Sequence, residues 1–388
     1  MNNFTDLYDA FKIIDSLTIK RNYHLINIEN AFGKVSYKDI YAPISIPEYN
    51  ISKMDGYAVN SSICDFTKPF QIIGEIFAGE EIKYNLKENE AYKVATGAKL
   101  SHNIDKVIPI ENSYKKDGNL FLIKQDKNFI QPKGSLIKEG EKILSKGDII
   151  DHRIIELLAS LRINCIETFK PIRIGIISTG SELTELFANS NNTLNSNYYM
   201  IFSFLKNFDT EVTYLGIEKD DFNAIKSKIE SSINEYDILI TIGGTGFSKA
   251  DLIIDIINSL KGKILINGIN ASPGKTFKLA TLENKPIFII PGNPQSAIVC
   301  TELFIGFFLR GISRKNLLIK IPVNFSLIKK RGFYKIIKTI TTVESNQLLN
   351  YDLYQKKSKG FRSLTIIDKD IENLKEGDLC DTFLLFYL

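Results

Sequence analysis

The 388-residue chain has no tryptophan, three histidines and four cysteines. Cys64, Cys165, Cys300 and Cys380 include no CxxC pair. A zinc site or disulfide framework is therefore not expected, and a reducing, cytoplasmic setting fits. Charge of one sign is also scarce: 49 Lys and Arg stand against 45 Asp and Glu, a net charge of +4. That balance argues against nucleic acid as a partner, although a small anion can still be held by locally gathered charge. Long apolar runs are missing too. The longest, residues 298–309, is interrupted by Thr301 and Glu302 and is too short to cross a bilayer. Residues 1–6 lack the basic and apolar regions of a signal peptide. Neither a membrane nor an export route is expected.

What is present suits a globular protein. Hydrophobic residues make up 44% and charged residues 24%, and the length accommodates two to four domains. Leu7, Ala10, Phe11, Ile14 and Leu17 recur at helical spacing behind the possible caps Thr5 and Asp6, so an amphipathic helix is expected first. Short strands are expected at 70–75, 92–95, 106–110 and 120–124, with a turn at Lys116-Asp117-Gly118, and helical periodicity returns at 153–161. This pattern suggests a β-rich unit, 51–135, inserted in a helical one, 1–50 and 136–170. From 171 to 314 strands (172–178, 211–216, 237–242, 264–267, 286–290) alternate with helices (198–208, 221–233, 252–260, 296–309). Such alternation implies a doubly wound α/β domain with a parallel sheet. Residues 315–388 break into short strands and suggest a small β-barrel or sandwich.

In such a sheet ligands bind outside the carboxyl ends of the strands. Three motifs fall there: Thr179-Gly180-Ser181-Glu182, then Gly243-Gly244-Thr245-Gly246 with Asp251 in the next helical turn, and Pro291-Gly292-Asn293-Pro294 leading into Gln295-Ser296. Glycines let a backbone approach a ligand closely, and helix starts attract anions. Glu182 and Asp251 suggest a Mg²⁺ bridged to phosphate oxygens. Lys275 offers a cation and Ser296 a donor for an oxyanion. Each motif alone also fits a plain structural role. The glycines serve equally as a tight strand-to-helix turn, Glu182 as a solvated loop carboxylate, Asp251 as a partner of the helix dipole, and Lys275 as a surface residue. Residues 52–59 read Ser-Lys-Met-Asp-Gly-Tyr-Ala-Val and hold Asp55 at the tip of a strand, with Gly56 free to take positive φ. Thr96-Gly97-Ala98, followed by 105–111, offers a hydroxyl and a backbone nest, or only a β-turn.

Together these residues resemble the molybdopterin molybdotransferase family (MoeA and the gephyrin E-domain), in order and through nearly the whole chain. The best matches are 52–59, 96–98 with 105–111, 179–183, 243–251, 273–275 and 291–297. The last 70 or so residues match only through Ser358, Ser363-Leu364 and Glu376-Gly377-Asp378. The resemblance implies a helical dimerisation domain, an inserted β-domain, a molybdopterin-binding α/β domain and a C-terminal β-barrel. It also implies an elongated homodimer whose cleft joins the α/β domain of one subunit to the β-domain of the other. The implied reaction inserts molybdate into adenylylated molybdopterin and releases AMP. Glu182 and Asp251 would hold Mg²⁺ and phosphates, with Asp55 and Thr96 completing the cleft from the partner. Lys275 and Ser296 would bind molybdate, while Thr179, Gly180, Gly243, Gly244, Thr245, Pro291, Gly292 and Asn293 would cradle the pterin nucleotide. The molybdopterin adenylyltransferase and recipient molybdoenzymes are implied partners.

Four places depart from the family pattern. Asn195-Ser196-Asn197-Tyr198 stands where Asp-Ser-Asn-Arg is usual, and Gly246-Phe247-Ser248 where Ser-Val-Gly is usual. Ser272 and Thr276 replace the first lysine and last proline of Lys-Pro-Gly-Lys-Pro, and Ser101 replaces a proline. Losing fixed cations weakens an anion site, by roughly 1–3 kcal/mol each in a desolvated cleft. A non-catalytic molybdopterin-binding scaffold and a tungstate-using variant stand as alternatives.

Overall fold

A computed structural model describes residues 4–81, 85–188, 191–244, 252–312, 318–345, 347–353 and 360–385. Its centre is a six-stranded sheet. The order is Thr210–Glu218, Ile172–Thr179, Ile238–Ile242, Lys285–Ile290, Lys278–Leu282, Lys263–Asn267. The first four strands run parallel, and the last two pair antiparallel, so the sheet is mixed where the alternation implied a parallel one. The difference lies at Lys278–Leu282, a strand absent from the sequence reading. Residues 283–284 turn it directly into Lys285–Ile290, and a connection that short permits only antiparallel pairing.

Helices cover both faces. Ile177, Leu239, Ile289, Ile287, Ala280 and Leu282 pack against the helices Phe222–Ser232 and Leu252–Ser259. Ile176, Ile240, Ile242, Phe288, Ile290 and Leu279 face the other way, toward the helices Ser196–Leu205 and Pro294–Cys300. The expected helix 296–309 starts two residues early, with Pro294 in its first turn behind the Asn293 cap, and widens into π-helical turns over Thr301–Ile305.

The opening helix forms at Leu7–Asp15, and Asp6 is its cap, accepting from the Tyr8 N–H. Its stripe Leu7, Ala10, Phe11, Ile14 packs into the core of the α/β sheet and C-terminal strands. The second helix, His152–Ser160, packs separately with Ala31, Ile40, Leu144, Ile150 and Ile166. The stripe of Leu7–Asp15 is fully apolar and needs an apolar surface to cover it.

The inserted unit carries a four-stranded sheet, ordered Gln71–Ile76, Glu90–Val94, Gly56–Val59, Lys106–Pro109. Gly56 is not among the positive-φ glycines. Its need is space: a Cβ there would stand 2.2 Å from the Ile108 carbonyl oxygen. The turn at 116–118 forms as read, with Asp117 and Gly118 both at positive φ. At the C-terminal end Leu318–Pro322, Tyr334–Glu344, Gln347–Asp352, Phe361–Ile367 and Leu379–Leu384 form antiparallel ladders. Val323, just past the first of these strands, bridges Asn350 in the third. Thr339, Thr341, Asn350, Ser363, Thr365 and Thr382 are buried and hydrogen-bonded to one another.

Candidate functional site

The strands Ile172–Thr179, Ile238–Ile242 and Lys285–Ile290 are adjacent and parallel, with Ser178, Ile242 and Ile290 in one row. Thr179-Gly180, Gly243-Gly244 and Pro291-Gly292-Asn293 therefore leave the sheet side by side. Their packing explains the glycines. Gly243 has φ near +100°, and a Cβ on it would stand 2.3 Å from the Thr179 carbonyl oxygen. Gly244 has φ near +67° and abuts Ile253 in the first turn of Leu252–Ser259. A Gly292 Cβ would stand 3.7 Å from the Gly243 Cα. The Thr179 hydroxyl donates to the Ile242 carbonyl, 3.2 Å away, which closes the first loop on the second. The result is three glycine-bearing loops held side by side at one edge of the sheet.

Asn293 is exposed, and its carboxamide oxygen accepts from the backbone N–H groups of Gln295 (3.0 Å) and Ser296 (3.3 Å). Its role is thus to cap the Pro294–Cys300 helix. Asn197 Nδ2 donates to the Gly292 carbonyl at 2.7 Å and pins the same loop. Glu182 is exposed, and its Oε1 lies 2.7 Å from where a Gly180 Cβ would be, so the carboxylate folds back over Gly180. Lys275 precedes the antiparallel strand Lys278–Leu282, whose start lies opposite Ile289 at this same edge. Its Nζ sits over the Phe4 ring (4.8 Å) and the Phe333 ring (5.2 Å), a cation–π seat toward the C-terminal strands.

Asp55 and Thr96 meet each other. Asp55 Oδ1 accepts from the Thr96 N–H at 2.7 Å and from its hydroxyl at 2.8 Å. These bonds, the backbone one foremost, hold the exposed carboxyl below its ordinary range and keep it ionised. Asp105 is engaged locally, accepting from the Ser61 N–H and hydroxyl. Among the described residues of one chain no hydrogen bond or ion pair joins Asp55 or Thr96 to the crevice. Thr245, Gly246 and Asp251 lie outside the described residues, as does Ser358. No group of three or more metal-ligating side chains occurs among the described residues.

Several contacts near the site were not evident from the sequence, although Asn195 and Tyr198 were already marked there as departures. Buried Asn195 accepts from the Ser178 hydroxyl at 3.1 Å and donates to the Tyr214 hydroxyl at 2.8 Å. Tyr214 in turn donates to Glu185 at 2.7 Å. Burial, with Glu185 added, raises the Tyr214 phenol far above its ordinary range. Tyr198 stacks on Tyr214 with centroids 4.0 Å apart. Lys338 crosses from the C-terminal strands to donate to Gln295 Oε1 at 2.9 Å. Lys278 is 3% exposed at the end of a buried strand. The only sequence signal for Lys278 was a charge opening an otherwise apolar run.

The comparisons agree with this architecture. A family model described as the MoeA N-terminal region (domain I and II) matches residues 5–161, and one described as a probable molybdopterin binding domain matches 175–311. A Methanocaldococcus jannaschii relative named "Putative molybdopterin biosynthesis protein" is 30% identical, covering 99% of both chains. A molybdopterin molybdenumtransferase of Haemophilus influenzae is 29% identical over 74% of this chain and 72% of its own. The crystal structure of a molybdopterin biosynthesis MoeA protein from Pyrococcus horikoshii superposes with a TM-score of 0.82 at 25% identity, covering 98% of this chain and 99% of that one. Two family models in tandem, a full-length relative and a full-length structural match coincide with the crevice motifs: this chain belongs to the MoeA family.

Proposed function

We propose that this chain acts in molybdenum cofactor biosynthesis, transferring molybdenum from molybdate to adenylylated molybdopterin with release of AMP. The observation that carries the reading is the side-by-side emergence of Thr179-Gly180, Gly243-Gly244 and Pro291-Gly292 from three adjacent parallel strands. A flat heterocycle with a phosphorylated tail needs close backbone approach and exposed N–H groups, which glycine loops and a helix start can offer. The curated relatives named as molybdopterin molybdenumtransferases support the chemistry.

Within this reading the loops at 179–180, 243–245 and 291–293 bind the pterin nucleotide, and Lys275 and Ser296 hold the oxyanion. Asp55, kept ionised by Thr96, completes the cleft from a partner subunit in a homodimer. The donor chemistry fits Mg²⁺: a hard divalent cation that also binds substrate phosphates needs only one or two protein carboxylates. Exposed Glu182, lying against Gly180, is one, and Asp251 is assigned as the other. The ion would neutralise charge between two anions. The domains are assigned as 1–50 with 136–170, 51–135, 171–314 and 315–388, with the helix Leu7–Asp15 of the first docked in the core of the third and fourth, and the setting as cytoplasmic.

Tyr198, stacked on Tyr214 where the family resemblance places an arginine, favours a second reading, a molybdopterin-binding scaffold without turnover. One assay separates the two: AMP release from adenylylated molybdopterin with Mg²⁺ and molybdate, against an Asp251→Ala control. Molybdate-dependent release that disappears in the control supports the transferase. Bound pterin without release, with molybdate or tungstate, refutes it.

A further inference from the structure

The joint between the central α/β domain and the unit that carries the insert is polar. That unit has its own apolar core, built on Ala31, Ile40, Leu144, Ile150 and Leu158. Among the described residues, none of that cluster belongs to either apolar cluster of the central sheet. The chain crosses the joint twice, between Asp15 and Tyr23 and between Phe169 and Ile172. The two crossings are bonded to each other. The Lys170 N–H donates to the Asn22 carbonyl at 2.8 Å, and Arg21 Nη2 donates to the Lys170 carbonyl at 2.7 Å. Asp209 stands on the far side, just before the strand Thr210–Glu218, and its carbonyl accepts from the Ile172 N–H at 3.0 Å.

Two cations reach the Asp209 carboxylate across the joint. Lys34 donates to Oδ1 at 2.7 Å, and its own carbonyl is held in the unit by the Ile150 N–H at 2.9 Å. Arg21 Nη2 lies 3.8 Å from Oδ2, and its guanidinium is tied to the unit over the Phe169 ring, 4.7 Å from the centroid. The Arg21 and Asp209 side chains are 6% and 7% exposed. Arg21 Nε and Asp209 Oδ2 are buried, and neither makes a hydrogen bond. Buried polar atoms left unmet cost free energy, and a guanidinium facing a carboxylate can close into a two-bonded fork. Closing the 3.8 Å gap takes a movement of about 1 Å, which swings the unit about its two crossings. Buried ion pairs add little stability over apolar residues of the same volume, and their best-attested use is to fix a register. We propose that Asp209 is the positioning residue of this joint. Shared between Lys34 and Arg21, its carboxylate sets the angle at which the unit, and with it Asp55 and Thr96, stands to the α/β domain. One arrangement is bonded to Lys34, and a second is closed on Arg21 as well. In a dimer the same angle decides whether Asp55 of one subunit reaches the glycine-bearing loops of the other. The inference rests on the proposed function for what Asp55 does once delivered.

The test uses the full chain and three variants: Asp209→Asn, Lys34→Met and the conservative Lys34→Arg. Small-angle X-ray scattering gives the distribution of distances within the particle, at an oligomeric state checked by light scattering. A thermal melt shows whether each variant is folded. Asp209→Asn and Lys34→Met should shift the long distances relative to wild type, and Lys34→Arg should keep them. In the AMP-release assay, kcat should fall roughly ten- to hundredfold in the first two variants. KM for the adenylylated pterin should stay within about twofold, because its loops lie in the α/β domain, and Lys34→Arg should recover most of kcat. Wild-type scattering in folded Lys34→Met overturns the proposal, and so does an unchanged kcat when the scattering has shifted. If Asp209→Asn does not fold, Lys34→Met decides, since that side chain is 30% exposed. A wild type without turnover refutes the proposed function, and the scattering then decides the inference by itself.

Discussion

Replacing Lys278 by methionine isolates the energetic consequence of burying an ammonium in the central sheet. Methionine keeps an unbranched chain and removes the charge. The lysine falls from its ordinary 10.5 to about 8 in the fold because burial disfavours the charged form. At 1.36 kcal/mol per unit, this places about 3 kcal/mol against the folded state when the amine is protonated in both states. The penalty is complete below pH 8. Between pH 8 and 10.5 the folded chain releases its proton before the unfolded chain does, so wild-type stability rises with pH. Above 10.5 both states are neutral and the penalty is gone. Lys278→Met should therefore exceed wild type most at pH 7, and the gap should narrow by up to about 1.4 kcal/mol per pH unit through the window. Urea unfolding of both proteins at several pH values from 6.5 to 10.5, followed through the transition that carries the central sheet, measures the gap. Other titrations are common to both proteins and cancel. A difference that does not change with pH would refute the reasoning, because it would mean that the ammonium is solvated.

Gly56→Ala forces a methyl against the Ile108 carbonyl at 2.2 Å and should destabilise the inserted unit by roughly 2–4 kcal/mol, read as a lower melting midpoint. Asp55→Asn keeps an acceptor for the Thr96 N–H, so folding should survive while molybdate-dependent AMP release falls roughly a hundredfold; unchanged turnover would remove Asp55 from the cleft. Asn195→Asp buries a carboxylate at a 2%-exposed position and removes the donor to the Tyr214 hydroxyl, so chemical denaturation should show a loss of roughly 1–3 kcal/mol. Tyr8→Phe deletes the bond to Asp381 and should lower stability by about 1 kcal/mol with no change in ligand affinity.

The crevice was legible in the sequence because its signals are local. Strand periods ending in Thr179-Gly180, Gly243-Gly244 and Pro291-Gly292-Asn293 need only chain direction to fall on one edge. The structure adds that their three strands are immediate neighbours. What could not be read is what register decides. Lys278 stands in the row of Ile289 only because Lys278–Leu282 pairs antiparallel with Lys285–Ile290; a shift of one residue would turn it to the other face. Gly56 looked like a turn glycine because Asp-Gly is common in turns, yet its constraint is a neighbouring strand 52 positions later. Asn195 appeared only as a missing carboxylate. Its amide links Ser178 to Tyr214, distant partners that no local pattern announces.

The first helix has one further consequence, for synthesis. Tyr8 bonds to Asp381, and Asp6 pairs with Lys369 at 2.6 Å while accepting from Asn270 at 3.4 Å. On the ribosome, the helix Leu7–Asp15 emerges before its berth, which is built from segments translated hundreds of codons later. Until then Leu7, Ala10, Phe11 and Ile14 remain an apolar stripe without a surface to cover it, which is the kind of exposure that chaperones recognise. The inserted unit, whose four-stranded sheet lies within 56–109, can close early. Slowing translation near residue 370 should therefore prolong holding of the helix Leu7–Asp15 without delaying the insert.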